Sequence, residues 1–128
     1  MPHSLTGVVV HGKQLGRTLG FPTANINPIP GMRAAEQNGV WIGAFSLPEW
    51  RTSLPCMINQ GKHPTAPEGA PTIEAYILDF SDDIYGRIVR LDYLQFLRSE
   101  VRFNSLEALK AQLEIDCRAV RAYFEAHK

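Results

Sequence analysis

The sequence predicts a mainly β domain: about six strands closing into a small antiparallel barrel, with one α-helix at the C-terminal end. Three observations predict it. Short apolar and β-branched runs, punctuated by Gly and Pro, fill residues 1–100. No helix-period stretch separates those runs, and parallel strands would need crossover helices for which the chain has no room. Beyond residue 103 the chemistry changes to a single apolar stripe at steps of three and four, the signature of an amphipathic helix. A sheet closed on itself and capped by that helix satisfies all three observations.

The elements follow in order. Leu5 to Val10 is a strand, stopped by a glycine-rich loop. Thr23 to Asn27 is the next, ended by Pro28, Pro30 and Gly31. Residues 31–38 form a loop. Gly39 to Leu47 is a strand whose internal glycine suggests a bulge. Leu54 to Asn59 is another strand. Residues 60–71 hold Gly61, Pro64, Pro67, Gly69 and Pro71 and are expected to be irregular. Thr72 to Phe80 is a strand, Ser81-Asp82-Asp83 opens a turn towards Gly86, and Ile88 to Leu97 is a long final strand. Asn104 and Glu107 have the N-cap and N3 spacing of a capping box. Leu106, Leu109, Leu113, Cys117, Val120 and Phe124 then line one face of a helix over about 105–127.

The 128 residues fit a single domain, 1–128, large enough to bury a core. With 13 basic and 13 acidic side chains the formal net charge is zero. That argues against a protein bound to nucleic acid or to an anionic membrane through its overall charge. No apolar run approaches the roughly twenty residues of a membrane-spanning helix, and Met1-Pro2-His3-Ser4 lacks the layout of a signal peptide. Cys56 and Cys117 have no motif spacing and read as buried thiols of a cytoplasmic protein, with a disulfide as the alternative. The four histidines form no zinc pattern.

The chemistry concentrates in Gly12 to Asn25. Gly12, Gly16 and Gly20 recur every fourth residue with Lys13 and Arg17 between them, and Pro22-Thr23-Ala24-Asn25 follows. The glycines permit a backbone that curls around a ligand, and the basic side chains suit phosphate. The Walker phosphate loop does not fit: three residues separate Gly12 from Gly16-Arg17-Thr18 where four are needed, and Arg replaces Lys. The dinucleotide fingerprint opens a helix, which Pro22, Pro28 and Pro30 forbid. Loop amides and basic side chains must therefore hold any phosphate without a helix dipole. The competing reading is a structural hairpin loop.

Thr23 and Asn25 lie two apart on a strand, so they share a face, and each offers a neutral oxygen of the kind Mg²⁺ accepts beside phosphate. Glu74 stands mid-strand between Ile73 and Ala75, where Glu is disfavoured, and a carboxylate there can accept a proton from a substrate hydroxyl. A solvated residue on the barrel's outside is the plainer alternative. Arg98 and Glu100 either line a second ligand site at the barrel mouth or form a surface ion pair worth little. Asn59, Lys62 and His63 read as loop residues, and Trp41 and Trp50 as core.

Taken together these residues resemble the riboflavin kinase family along nearly the whole chain. The resemblance starts with Gly12-x-x-x-Gly16-Arg17-x-Leu19-Gly20-Phe21-Pro22-Thr23-Ala24-Asn25 and continues through Ile58-Asn59-x-Gly61-x-x-Pro64-Thr65. Glu74-x-x-Ile77-x-Asp79-Phe80 and Asp83-Ile84-Tyr85-Gly86 come next. Phe96-Leu97-Arg98-x-Glu100-x-x-Phe103-x-Ser105-Leu106 follows, and Gln112 and Asp116 carry the pattern into the helix. The resemblance implies a six-stranded Greek-key barrel with a C-terminal helix, and transfer of the ATP γ-phosphoryl group to the riboflavin 5′-hydroxyl, giving FMN and ADP. It implies a flap from Gly12 to Pro22 over the ATP phosphates (Gly12, Lys13, Gly16, Arg17, Gly20, Pro22, with Thr23 and Asn25). It further implies Mg²⁺ on Thr23 and Asn25, and Glu74 as general base. Arg98, Glu100 and Phe103 would belong to a second flap over the flavin ring.

Two positions depart from the family pattern. Tyr76 stands where His is common, and Ala66 where Phe is common. Neither is a metal ligand or the base, so activity is expected. The alternatives are a non-catalytic flavin- or nucleotide-binding barrel and an interaction module using the helix face. The chain is expected to be a cytoplasmic monomer with no nucleic-acid or membrane partner, either a stand-alone kinase or the kinase part of a bifunctional FAD synthetase.

Overall fold

A computed structural model describes residues 3–11, 23–62 and 71–128. Among them six strands and one helix follow one another: β1 (His3–Val10), β2 (Ala24–Pro28), β3 (Gly39–Ser46), β4 (Leu54–Lys62), β5 (Pro71–Ile77), β6 (Ile88–Arg98) and α1 (Leu106–Ala126). The strands close into a barrel in the order β1-β2-β5-β4-β3-β6, and every pairing is antiparallel. The run β3-β4-β5 is a meander, and β6 returns to lie beside β3, which makes the Greek key. The seams differ in length. Among the described residues β4 and β5 pair over seven residues, whereas β2 and β5 pair only at Ala24↔Ala75 and Asn25↔Glu74.

Alternation along the strands sends one set of side chains inward and the other outward. Leu5, Val9, Ile26, Phe45, Ile58, Ile73, Ala75, Val89, Leu91 and Tyr93 fill the interior, with Trp41 and Trp50 packed against them. A second apolar cluster lies outside the wall. There Val40, Ile42 and Met57 meet Leu113, Cys117, Val120, Tyr123 and Phe124 of α1. The helix stripe therefore covers one sector of the barrel's outer surface, as its periodicity requires.

The core holds one polar residue with complete pairing. The buried Gln60 carboxamide accepts from Ala35 N at 3.1 Å and from Tyr93 Oη at 2.8 Å. It donates to Ala35 O at 2.7 Å and Asn38 Oδ1 at 3.0 Å. This ties the 31–38 connection to the barrel's inside. The bulge expected at the glycine of β3 falls on its partner: the β3–β6 register shifts at Val40/Trp41 and again at Ile42/Gly43. A Cβ at Gly43 would sit 2.6 Å from Asp92 O, so the close approach of β6 demands glycine there.

Several strand ends differ from expectation by one or two residues, and three boundaries differ for a clear physical reason. β4 runs on to Lys62, three residues past Asn59, because β5 continues its ladder as far as Lys62↔Pro71. β5 stops at Ile77 rather than Phe80. Asp79 turns the chain at φ 58°, which drops Leu78 beneath α1. The helix starts one residue later than the capping box suggested. Ser105 is the N-cap, in extended geometry, and its hydroxyl accepts from Ala108 N at 3.0 Å. Glu107 then falls in the first turn without being the N3 residue of a box, and the acid still suits the helix N-terminus.

Candidate active site

The site lies on the outside of the wall, where α1 leaves it uncovered. One row of residues in register runs Arg98↔Val40↔Asn59↔Glu74↔Asn25↔Val10 across all six strands. Val40 belongs to the cluster under the helix. Asn59, Glu74 and Asn25 come next, and they bring polar chemistry to three neighbouring strands on one face.

Thr23, one residue ahead of β2, donates its hydroxyl to Glu74 Oε1 at 2.9 Å. It reaches that position because it shares Asn25's outward face and the short β2–β5 seam places the two strands side by side. Burial holds the Glu74 carboxyl above its ordinary value, and the Thr23 hydrogen bond offsets part of that rise. A half-buried carboxylate with one oxygen occupied and the other without a partner among the described residues is suited to taking a proton. The expected metal pair and the expected base thus form one cluster.

A cavity of about 580 Å³ opens beside this cluster, lined among others by Val10, Thr23, Asn25, Ile77, Phe80 and Tyr85. The 80–85 connection forms one side of it. His11 stacks on Tyr85 at its rim, with ring centroids 3.7 Å apart and planes 14° apart. The Asp83 carboxylate accepts from Tyr85 N at 3.0 Å, which shapes this turn. The volume lies in the ordinary range for small-molecule sites.

The second group of expected residues gathers at the end of β6. The Arg98 guanidinium grips Asp116 of α1, with Nη2 2.7 Å and Nε 3.0 Å from the carboxylate oxygens. Asp116 is buried and also accepts from Gln112 Nε2 at 2.9 Å. Arg98 further donates to Ser99 O at 3.1 Å and lies 5.9 Å from the Phe103 ring centre. So the alternative reading of Arg98 as one half of a surface pair with Glu100 gives way: its partner is Asp116, because only the helix offers a buried carboxylate there. Glu100 instead lies over Gly61, where a Cβ would meet its Oε2 at 2.6 Å. Gly61 follows Asn59 by two on β4, so Glu100 covers the outer face one row beyond Glu74.

Asn59 and Lys62 are strand residues and not loop residues, since the backbone ladder to β3 and β5 overrides the weak strand preference of Asn. Asn59 opens the polar end of β4, Asn59-Gln60-Gly61-Lys62, and no signal in the sequence singled it out from its neighbours. Tyr76 packs against the cluster under α1, and burial raises its phenol pKa. The loop residues Gly12, Lys13, Gly16, Arg17, Gly20 and Pro22, together with His63 and Ala66, lie outside the described residues. The two thiols are free, Cys56 buried and Cys117 half-buried.

The chain is thus a closed six-stranded Greek-key barrel with one C-terminal helix, carrying a Thr–Glu–Asn cluster on its outer wall beside a cavity. The family model described as riboflavin kinase matches residues 1–124, and the chain belongs to that family. It is 34% identical to a bifunctional riboflavin kinase/FMN adenylyltransferase of Haemophilus influenzae, over 98% of this chain and 40% of that protein. It is 42% identical to an RNA-binding riboflavin kinase of Bacillus subtilis, over 94% of this chain and 51% of that protein. The solved structure of riboflavin kinase from Trypanosoma brucei superposes with a TM-score of 0.68 at 32% identity, covering 97% of this chain and 80% of that one. The chain therefore spans about two fifths of the length of the bifunctional relatives it matches.

Proposed function

We propose that this chain transfers the γ-phosphoryl group of ATP to the 5′-hydroxyl of riboflavin, giving FMN and ADP. The observation that carries the reading is the Thr23–Glu74 hydrogen bond, which sets a half-buried carboxylate beside two neutral oxygen donors in a member of the riboflavin kinase family.

Glu74 is the general base. Its free oxygen accepts the proton of the 5′-hydroxyl as that oxygen bonds to the γ-phosphorus and the bond to the β-phosphate oxygen breaks. Thr23 orients Glu74 and limits the rise in its pKa.

The donor set fits Mg²⁺. Thr23 and Asn25 supply hard, neutral oxygens on one face, and this ion keeps most of its remaining positions for water and substrate phosphate. When bound, Mg²⁺ would offset charge on the phosphates. Gly12, Lys13, Gly16, Arg17, Gly20 and Pro22 lead into Thr23 in sequence and are assigned to the phosphates. The cavity at the β2–β5 seam takes the rest of the nucleotide.

Glu100 and Phe103 are assigned to the flavin. Arg98 serves the same segment from behind, since its guanidinium is already held by Asp116. Among the described residues no helix is long and apolar enough to cross a membrane. The protein is read as a cytoplasmic monomer with small-molecule partners.

The test is formation of FMN from riboflavin by the purified protein, with and without Mg²⁺ and ATP, followed by chromatography of the flavins. Wild type makes FMN only with both, and Glu74→Gln makes almost none while still binding nucleotide. No FMN from wild type would overturn the reading.

A further inference from the structure

Asn59 has no role in the chemistry so far, yet it directly opposes Glu74 on β4 and lies on the same outer face. It is exposed, and its carboxamide meets no hydrogen-bond partner among the described residues. Directly opposed residues in an antiparallel pair hold their Cβ atoms about 5 Å apart. Glu74 is thus flanked on one side by Asn25 and on the other by Asn59.

The two flanks are not equivalent. Asn25 and Asn59 are separated by the whole of β5, a distance of about 10 Å between their strands. An Mg²⁺ ion with ligands at about 2 Å does not serve both. Thr23 lies on the Asn25 side, next to the cavity, which makes that the nucleotide side. The Asn59 side leads along β4 to Gly61 and the Glu100 carboxylate over it. The acceptor must then reach Glu74 from the β4 side, and its chain passes Asn59.

We propose that Asn59 is a substrate-binding residue whose carboxamide holds a secondary hydroxyl of the acceptor's polyol chain, next to the hydroxyl that reacts. This deepens the kinase reading and rests on it. A carboxamide both donates and accepts, as does a secondary hydroxyl, so the two pair reciprocally. Fixing the polyol one carbon from its end leaves the terminal oxygen within reach of the free oxygen of Glu74. Such a contact also selects against acceptors that lack the hydroxyl.

The experiment compares two acceptors, riboflavin and the same flavin ring carrying a plain 5-hydroxypentyl chain. Asn59→Ala lowers kcat/KM for riboflavin about tenfold, the worth of one hydrogen bond near the top of the usual range, mostly through KM. It changes kcat/KM for the hydroxypentyl flavin less than twofold and leaves the KM for ATP unchanged. Asn59→Gln, with a longer reach, restores only part of the riboflavin preference. Thermal melts of both variants check folding. An equal loss on the two acceptors, or no loss on either, overturns the proposal while the kinase reading stands. A wild type that makes no FMN removes both.

Discussion

Arg98 and Asp116 form a buried ion pair that joins the end of the last strand to the middle of the helix, with a closest contact of 2.7 Å. Asp116 is 2% exposed and Arg98 19% exposed, so water screens the pair little. Removing one partner strands the other charge in a desolvated place. Asp116→Ala therefore lowers stability by about 3 kcal/mol in urea unfolding. Arg98→Ala costs about as much, and the double variant costs less than the sum of the two. Additive losses would show that the pair is not coupled.

Glu74 makes a prediction about pH. Burial raises its native pKa above the ordinary 4.5. The native carboxyl holds its proton more tightly than the unfolded one, so the unfolded state binds fewer protons between the two values. The stability this group contributes is complete below about 4.5 and is lost as pH rises through the native value. Glu74→Gln cannot ionise and avoids that loss. Urea unfolding finds the variant more stable than wild type at pH 8, with the gap closing towards pH 4. A gap independent of pH would refute the burial argument. If Glu74 is the proposed base, the same shift would move the acid limb of FMN formation upward from that of an unburied carboxylate.

Gln60 supports a third prediction. Its carboxamide satisfies the Ala35 amide and carbonyl and the Tyr93 hydroxyl inside the barrel. Gln60→Leu keeps most of the volume and leaves those groups without their partner, at a cost of about 3 kcal/mol or more. Tyr93→Phe removes one hydroxyl and leaves Gln60 Oε1 its bond from Ala35, so it costs about 1 kcal/mol. Chemical denaturation of the two variants checks the order.

The thiols give a fourth. Cys56 is fully buried, and that burial pushes its pKa far up, while Cys117 is half-buried with a smaller rise. A thiol-specific reagent should label Cys117 first under native conditions, and Cys56 only at the rate of unfolding. Simultaneous labelling would place Cys56 in a part of the barrel that opens locally.

The strands were legible because β-branched runs sit between glycines and prolines, and the helix because one stripe runs unbroken from Leu106 to Phe124. Their ends were less so. Asn59, Gly61 and Lys62 look like turn residues, and only the ladder from β5 makes them strand. Glu74 was legible as a carboxylate in the wrong place for a strand. That Thr23 bonds to it was not, since the contact spans 51 residues and depends on barrel closure. The partner of Arg98 was hidden in a similar way. Asp116 falls on the apolar stripe between Leu113 and Val120, and an acid at such a position was a sign of a buried partner.

Among the described residues the β2–β5 seam has the fewest register pairs, and the proposed reacting groups straddle it. Thr23 and Asn25 arrive with the first hairpin, Glu74 with the meander, and neither piece holds the chemistry alone. The seam that joins the first hairpin to the meander is also the one that assembles the proposed catalytic cluster. On the proposed reading, activity would report topological closure: a barrel unzipped at this one joint would keep most of its strand pairing and lose the cluster.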